Sequence, residues 1–253
     1  MGNVMLVIGL VLLVVGAALL FFGRRTQAKT NLMQSVATMT ASQLPSLLSG
    51  EMVEVKGTTQ CAAPLTAEYA NKPCVWYSAS VVREYEKQER DSKGNVQTNR
   101  TSETISSNSQ STPFMVEDAT GQVEVNLDGA EIDAPMILDR FEDHKSNSGP
   151  SISFQGVSIT AGDDDHTLGY RYQVRALEVA KPVYVLGVYR EDGTIGAPPP
   201  GSKTRKFIVS HRTEEELRSS WGKQAFWLGT TAAGSFIIGG VLVVLGIIFM
   251  IVG

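Results

Sequence analysis

The residues best placed to do chemistry are few. Asp163, Asp164, Asp165 and His166 form the sharpest polar cluster. Adjacent carboxylates supply hard oxygen ligands, so a bound cation is the chemistry they would serve. The run lacks the spacing and the closing bidentate Glu of a calcium loop, and Gly162 before it marks a loop, so it reads as a solvated acidic turn. Glu131 and Asp133 alternate on a strand edge, which turns them to water rather than pairing them for acid–base work. Cys74 beside Trp76 reads as a buried thiol, not a nucleophile. The chain has no GxSxG elbow, no GxGxxG turn and no GxxxxGK[ST] loop. The expectation is no catalytic residue, no metal ligand and no cofactor.

Composition narrows the partners. The 253 residues carry 22 Lys+Arg against 26 Asp+Glu, a net charge of −4, so no basic excess points to nucleic acid. Cys61 and Cys74 are the only two cysteines. They form no CxxC pair. In a reducing compartment both are free thiols, and in an oxidising one they pair only if the fold brings them within reach.

The charges are unevenly placed. All of them lie between Arg24 and Lys223, leaving an apolar segment at each end. Residues 4–22 and 226–252 are each long enough, as helices rising about 1.5 Å per residue, to cross a hydrocarbon core of about 30 Å. The first could be a signal peptide, but no Lys or Arg precedes it and it approaches full spanning length, so it reads as an uncleaved anchor. Arg24, Arg25 and Lys29 follow the first span, and Arg212, Arg218 and Lys223 precede the second. Both sets lie on the domain side, which places the polar domain in the cytoplasm. The chain reaches Gly253 directly after the second span, and nothing is expected beyond it.

Both spans carry small residues every seven positions: Gly2, Gly9, Gly16 and Gly23 in the first, Ala225, Ala232, Gly239, Gly246 and Gly253 in the second. A seven-residue repeat makes a nearly straight seam, and small residues let membrane helices approach closely. The spans run antiparallel because the domain lies on one side. Facing seams would give a tight hairpin; chance occurrence and self-association between copies are the other readings.

Between the spans, residues 26–50 read as a juxtamembrane helix continuing the first span, then a short turn near Ser42 and Pro45 that Gly50 stops. Leu32, Val36 and Met39 would form its apolar face. From Met52 the period becomes two. Strands are expected at 52–57, 74–86, 114–118, 123–127, 169–179, 182–192 and 206–210. Residues 139–167 read as irregular, with Phe154, Val157 and Ile159 their core contacts. Residues 87–112 are polar and read as an exposed hairpin, or as disorder, with Arg83, Arg90 and Arg100 keeping it soluble. Thr213 and Glu216 fit a capping box that starts a helix running into the second span. The fold class is therefore a mainly β domain, a small barrel or sandwich, between two antiparallel transmembrane helices. Its parts are residues 1–25, 26–50, 51–212 and 213–253.

Three features, in this order between two spans, resemble the GIDE, or beside-a-membrane (BAM), domain family. One is Pro64-Leu65 followed by Pro73, Cys74, Val75, Trp76 and Tyr77. The second is Phe114-x-Val116-x-Asp118-x-Thr120-Gly121 followed by Val123-x-Val125. The third is Val183 to Gly187 leading to Phe207 to Ser210 and a Glu214-Glu215-Glu216-Leu217 helix start. The resemblance covers roughly residues 50–220. It implies kinship with mitochondrial membrane E3 ubiquitin and SUMO ligases, in which a RING follows the second span and the domain faces the intermembrane space. A RING needs eight Cys or His ligands for two zinc ions, and this sequence holds two Cys and three His. The expectation is thus a non-catalytic binding or scaffold module. It would lie against the lipid bilayer and hold a protein partner through hairpin 87–112. The alternatives are a ligase component that needs a separate RING subunit, and a homo-oligomeric membrane scaffold.

Overall fold

The structure is a computed structural model that describes residues 2–90, 94, 96–144, 152–154, 157–159, 167–202 and 206–252. For residues 28–35, 89–90, 152–154, 157–159, 251 and 252 it describes the backbone alone. The acidic cluster Asp163–His166 lies outside the described residues, as do the side chains of Leu32, Phe154, Val157 and Ile159.

Helix α1 (Gly2–Ser35) leads to a 3-10 turn at Ala41–Ser46. The strands are β1 (Met52–Gln60), β2 (Leu65–Thr66), β3 (Pro73–Arg90), β4 (Val96–Ser111), β5 (Phe114–Asp118), β6 (Gly121–Val125), β7 (Glu131–Asp133), β8 (Met136–Asp143), β9 (Ile152–Phe154), β10 (Val157–Ile159), β11 (Thr167–Glu178), β12 (Pro182–Tyr189), β13 (Ile195–Gly196) and β14 (Ile208–Ser210). Helix α2 (Glu214–Val252) follows.

Five strands close a ring in the order β1, β5, β6, β13, β12 and back to β1, with β13 parallel to β6. Closure removes edges, the usual solution of small β barrels. Strand β1 serves two neighbours: Met52 to Thr58 pair with β12, and Thr58 to Gln60 pair with β5. Gly57 sits at that corner, where a Cβ would collide with the Glu117 carbonyl. The ring is filled by Val53, Val55, Val116, Val125, Val183, Val185 and Ile195. Strands β14 and β7 extend the sheet beyond β12.

A second antiparallel sheet has the order β4, β3, β11, β8, with β2 beside the start of β3. One face presents Tyr77, Ala79 and Val81 from β3 and Tyr170, Tyr172, Val174 and Ala176 from β11, all buried. Leu65, Ala67 and Tyr69 cover it.

Three differences from the sequence expectations bear on the site. The span 139–167, expected to be irregular, holds the end of β8 and all of β9 and β10; main-chain pairing with β11 holds β8 without an alternating apolar face. The helix after the first span stops at Ser35, and Val36 and Met39 do not continue it. There the Met39 amide donates instead to the Glu54 carbonyl, and Thr38 bridges alongside β1. Asp133 is half-buried and paired rather than simply facing water, for the reason given below.

Candidate functional site

The two long helices lie against each other along the small-residue seam. Gly2, Gly9, Gly16 and Gly23 are buried, as are Ala232, Gly239 and Gly246. A Cβ on Gly9 would meet Val243 Cγ2 at 2.7 Å and the Gly239 carbonyl at 2.8 Å, and one on Gly246 would meet the Gly2 carbonyl at 3.0 Å. Gly16 faces the Phe236 ring and Gly23 faces Leu228. Each step of seven along α1 is matched by seven in reverse along α2, so the pairing is antiparallel and the seams face each other. Gly222, Gly229, Gly234 and Gly240 lie off this line and meet nothing within 4 Å. Outward positions carry large apolar side chains such as Val14, Trp227 and Ile237, which suits lipid and not water. Both helices are long and apolar enough to cross a membrane.

Where the helices leave this region they converge on the barrel. Helix α2 starts at a capping box, with the Thr213 amide donating to Glu216 Oε2 at 3.1 Å and the Glu216 amide donating to Thr213 Oγ1 at 3.3 Å. Leu217 is buried against Tyr184, Leu186 and Ile208, with Trp221 and Val36 beside them. That cover explains why β12 is buried on both faces. Beneath it lies Glu54, with 1 % exposure. Its carboxylate accepts from Thr38 Oγ1 at 2.6 Å and from Tyr184 Oη at 2.9 Å. The Lys56 ammonium stands 3.2 Å away and also donates to Glu214 Oε2 at 2.9 Å. Burial, and then the Glu54 carboxylate, push the Tyr184 phenol far above its ordinary value, so it stays a donor.

Asp118 ties the turn after α1 to the barrel. Its Oδ1 accepts from the Thr120 amide and hydroxyl, each at 2.7 Å, and from the Gly121 amide at 3.1 Å. Its Oδ2 accepts from the amide of Ala41 at 2.8 Å. Gly121 has φ 159°, nearly extended, so the side-chain bonds and not a left-handed glycine close this turn. Desolvation would raise the Asp118 carboxyl, but the Thr120 hydroxyl and the three amides outweigh it and hold it below its ordinary value. A carboxyl depressed in the fold stabilises above its unfolded value and loses that contribution as pH falls through the folded one. Asp118→Ala is expected to cost about 1–2 kcal/mol at neutral pH. Thermal melts should converge with wild type as pH drops below about 4; a constant gap would show that the charge is not what matters.

Ser210, His211 and Asp133 come together, yet not as a catalytic trio. Ser210 is fully buried, and its hydroxyl donates to Asp133 Oδ2 at 2.7 Å and accepts from the Arg212 amide. Arg212 grips the same carboxylate with two bonds, at 2.8 and 2.7 Å. Burial alone would raise Asp133, but the Arg212 fork and the Ser210 hydroxyl hold it below its ordinary value. His211 sets both its amide and Nδ1 on the Asp133 carbonyl. The cluster locks β7 to the start of α2, which is why Asp133 turns inward while Glu131 stays exposed, 3.8 Å from Lys206.

The remaining motif residues lie in or beside the two sheets. Cys74 is buried, and desolvation first, then Glu178, push its thiol up to about 11, so it is protonated at neutral pH. Both cysteines are free. Pro64 is exposed, Pro73 opens β3, and Trp76 packs against the barrel core. Phe114 fills the ring opposite Val125, and Gly187 abuts Ile195 and Phe207.

The polar hairpin is ordered over its arms. Among the described residues β11 pairs with β3 as far as Tyr85, and beyond it Glu86 to Arg90 pair with Val96 to Arg100 alone. Among the described residues β4 pairs with β3 alone, and most of its side chains are exposed, Val96 by 52 %. Arg83 meets Glu103, while Glu84 bonds both Arg100 and Arg171, and Arg171 reaches Asp139 on β8. These cross-strand pairs stiffen the base of the ribbon.

Sequence reasoning missed the Glu54 cluster and the Asp133–Arg212 lock. Among the described residues no group of three or more His, Cys, Asp or Glu is placed to hold a metal. A family model named GIDE and described as E3 ubiquitin ligase matches residues 82–246. That range holds the Asp118 turn, the β12 strand and the start of α2, while Pro64, Pro73, Cys74 and Trp76 precede it. No curated protein and no solved structure matches the chain.

Proposed function

The chain belongs to the GIDE family, and from that premise we propose that it is a membrane-anchored, non-catalytic binding module that holds a protein partner beside the bilayer. The observation that carries this reading is the ribbon of β3 and β4: it extends past the pairing with β11, is stiffened by ion pairs at its base, and among the described residues pairs with no other strand along its outer edge. The basic residues Arg24, Arg25, Arg212, Arg218 and Lys223, all on the domain side of the helices, support a cytoplasmic domain. Residues 1–253 hold too few Cys and His for a RING, so transfer chemistry would have to come from a RING outside them.

The family description favours one second reading, a component of a membrane ubiquitin ligase. One experiment separates the two. The full chain is compared with a form in which residues 87–99 are replaced by Asn-Gly, a two-residue turn that closes a hairpin. Quantitative cross-linking in intact membranes should show partners of the wild type depleted about tenfold with the shortened ribbon, a loss of the size expected for removing an interface centre. An unchanged partner set rejects the ribbon as the binding element. Ubiquitin transfer from a charged E2 by the purified chain alone rejects the non-catalytic reading.

A further inference from the structure

We propose that the buried Glu54 carboxylate is a mechanical joint that couples the packing of the membrane helices to the β barrel. This goes beyond partner binding and holds whatever the partner is. Helix α1 runs unbroken to Ser35, with only Val36 and Ala37 between it and Thr38, and α2 starts at Glu214, so each apolar length is joined to the domain by at most two non-helical residues. Thr38, three residues past α1, donates to Glu54 Oε1 at 2.6 Å, and the Met39 amide donates to the Glu54 carbonyl at 2.8 Å. On the other side Lys56 bridges Glu54 to Glu214, the first residue of α2, whose Oε1 accepts from Arg218 at 3.3 Å. The exit of α1 therefore grips Glu54 directly, and that of α2 reaches it through Lys56.

The barrel grips it as well. Tyr184 reaches Glu54 from β12, while Glu54 itself stands on β1. The neighbours Val53, Val55, Val183 and Val185 point the other way, into the ring. A buried carboxylate is destabilised by each missing donor, because a lost partner leaves charge without solvation. A shift of either helix exit must then break a bond to Glu54 or carry β1 and β12 along. Packed elements of this kind switch between discrete arrangements rather than bend.

The test is hydrogen exchange by mass spectrometry on the full chain in lipid nanodiscs. Gly9→Leu strains the seam, Gly16→Ala strains it mildly against the Phe236 ring at 3.2 Å, and Gly229→Leu alters a position that meets nothing within 4 Å. The first two should raise exchange in β1 and β12 about fivefold while β8 changes less than about twofold, and Gly229→Leu should leave all three unchanged. With both helix ties to Glu54 cut by Thr38→Val and Lys56→Met together, the same seam variants should raise β1 and β12 less than about twofold above the cut background. Should Gly9→Leu fail to fold, Gly16→Ala carries the comparison. The joint is rejected if β1 and β12 ignore both seam variants, if Gly229→Leu acts equally, or if cutting the joint changes nothing.

Discussion

Leucine in place of Gly9 is expected to part the two membrane helices. Helix association in lipid has no hydrophobic drive, because the tails are as apolar as the side chains; it rests on close contact. At Gly9 that contact is backbone against backbone, with the Gly239 carbonyl 2.8 Å and the Val243 amide nitrogen 2.9 Å from where a Cβ would stand. A rotamer change cannot relieve a clash with main chain, so the helices must separate, at a cost of about 1–3 kcal/mol. The reporter is built into the seam: Gly23 and Leu228 lie with Cβ positions 3.5 Å apart, within disulfide range, so cysteines placed there should oxidise readily. Cys61→Ser removes the accessible native thiol, and buried Cys74 does not compete. Adding Gly9→Leu should lower the oxidised fraction about tenfold at matched oxidant, the factor that about 1.4 kcal/mol implies. Gly240→Leu, which meets nothing within 4 Å, should leave it unchanged. Equal oxidation in all three would mean that the heptad is not what holds the pair.

The seam was readable because it is a local period: seven residues on one helix suffice to define a line, and the antiparallel partner follows from both helices joining one domain. The alternating strands and the capping box at Thr213 were readable for the same reason. What stayed hidden was contact across sequence. In Met52 to Gly57 the alternation puts Glu54 on the polar face, where it would be exposed, and nothing nearby shows that α2 and the chain after α1 cover that face. Asp118 showed its local turn but not the Ala41 amide 77 positions earlier. Asp133 looked like a solvated strand residue because its partner, Arg212, comes 79 positions later. Strand β8 was missed for a different reason: an edge strand held by main-chain pairing needs no apolar alternation, so its sequence carries no period to detect.

A side chain at Gly187 is expected to break the barrel. In Val183 to Val188 every residue is buried, and Gly187 is the one that leaves room for a neighbour on each side. A Cβ there would stand 2.8 Å from Ile195 Cγ2, 2.9 Å from Phe207 Cδ2 and 3.0 Å from the Gly196 carbonyl. Ile195 and Gly196 form β13, the short strand that joins β12 to β6 and closes the ring, so they cannot retreat without opening it. Valine, stiff at χ1 and suited to strands, isolates this steric conflict from any loss of β propensity. Gly187→Val should cost at least about 3 kcal/mol and lower the melting temperature by about 6–12 °C, read by tryptophan fluorescence of the solubilised chain. Gly222→Ala, in the helix with nothing within 4 Å, should not lower it. The position also bears on the joint. Gly187 pairs with Val53, one residue from Glu54, so opening the ring here loosens the strand that carries the buried carboxylate. A normally folded Gly187→Val protein would show that β13 does not close the ring, and the two helix exits would then be joined to an open sheet that could follow their movement without strain.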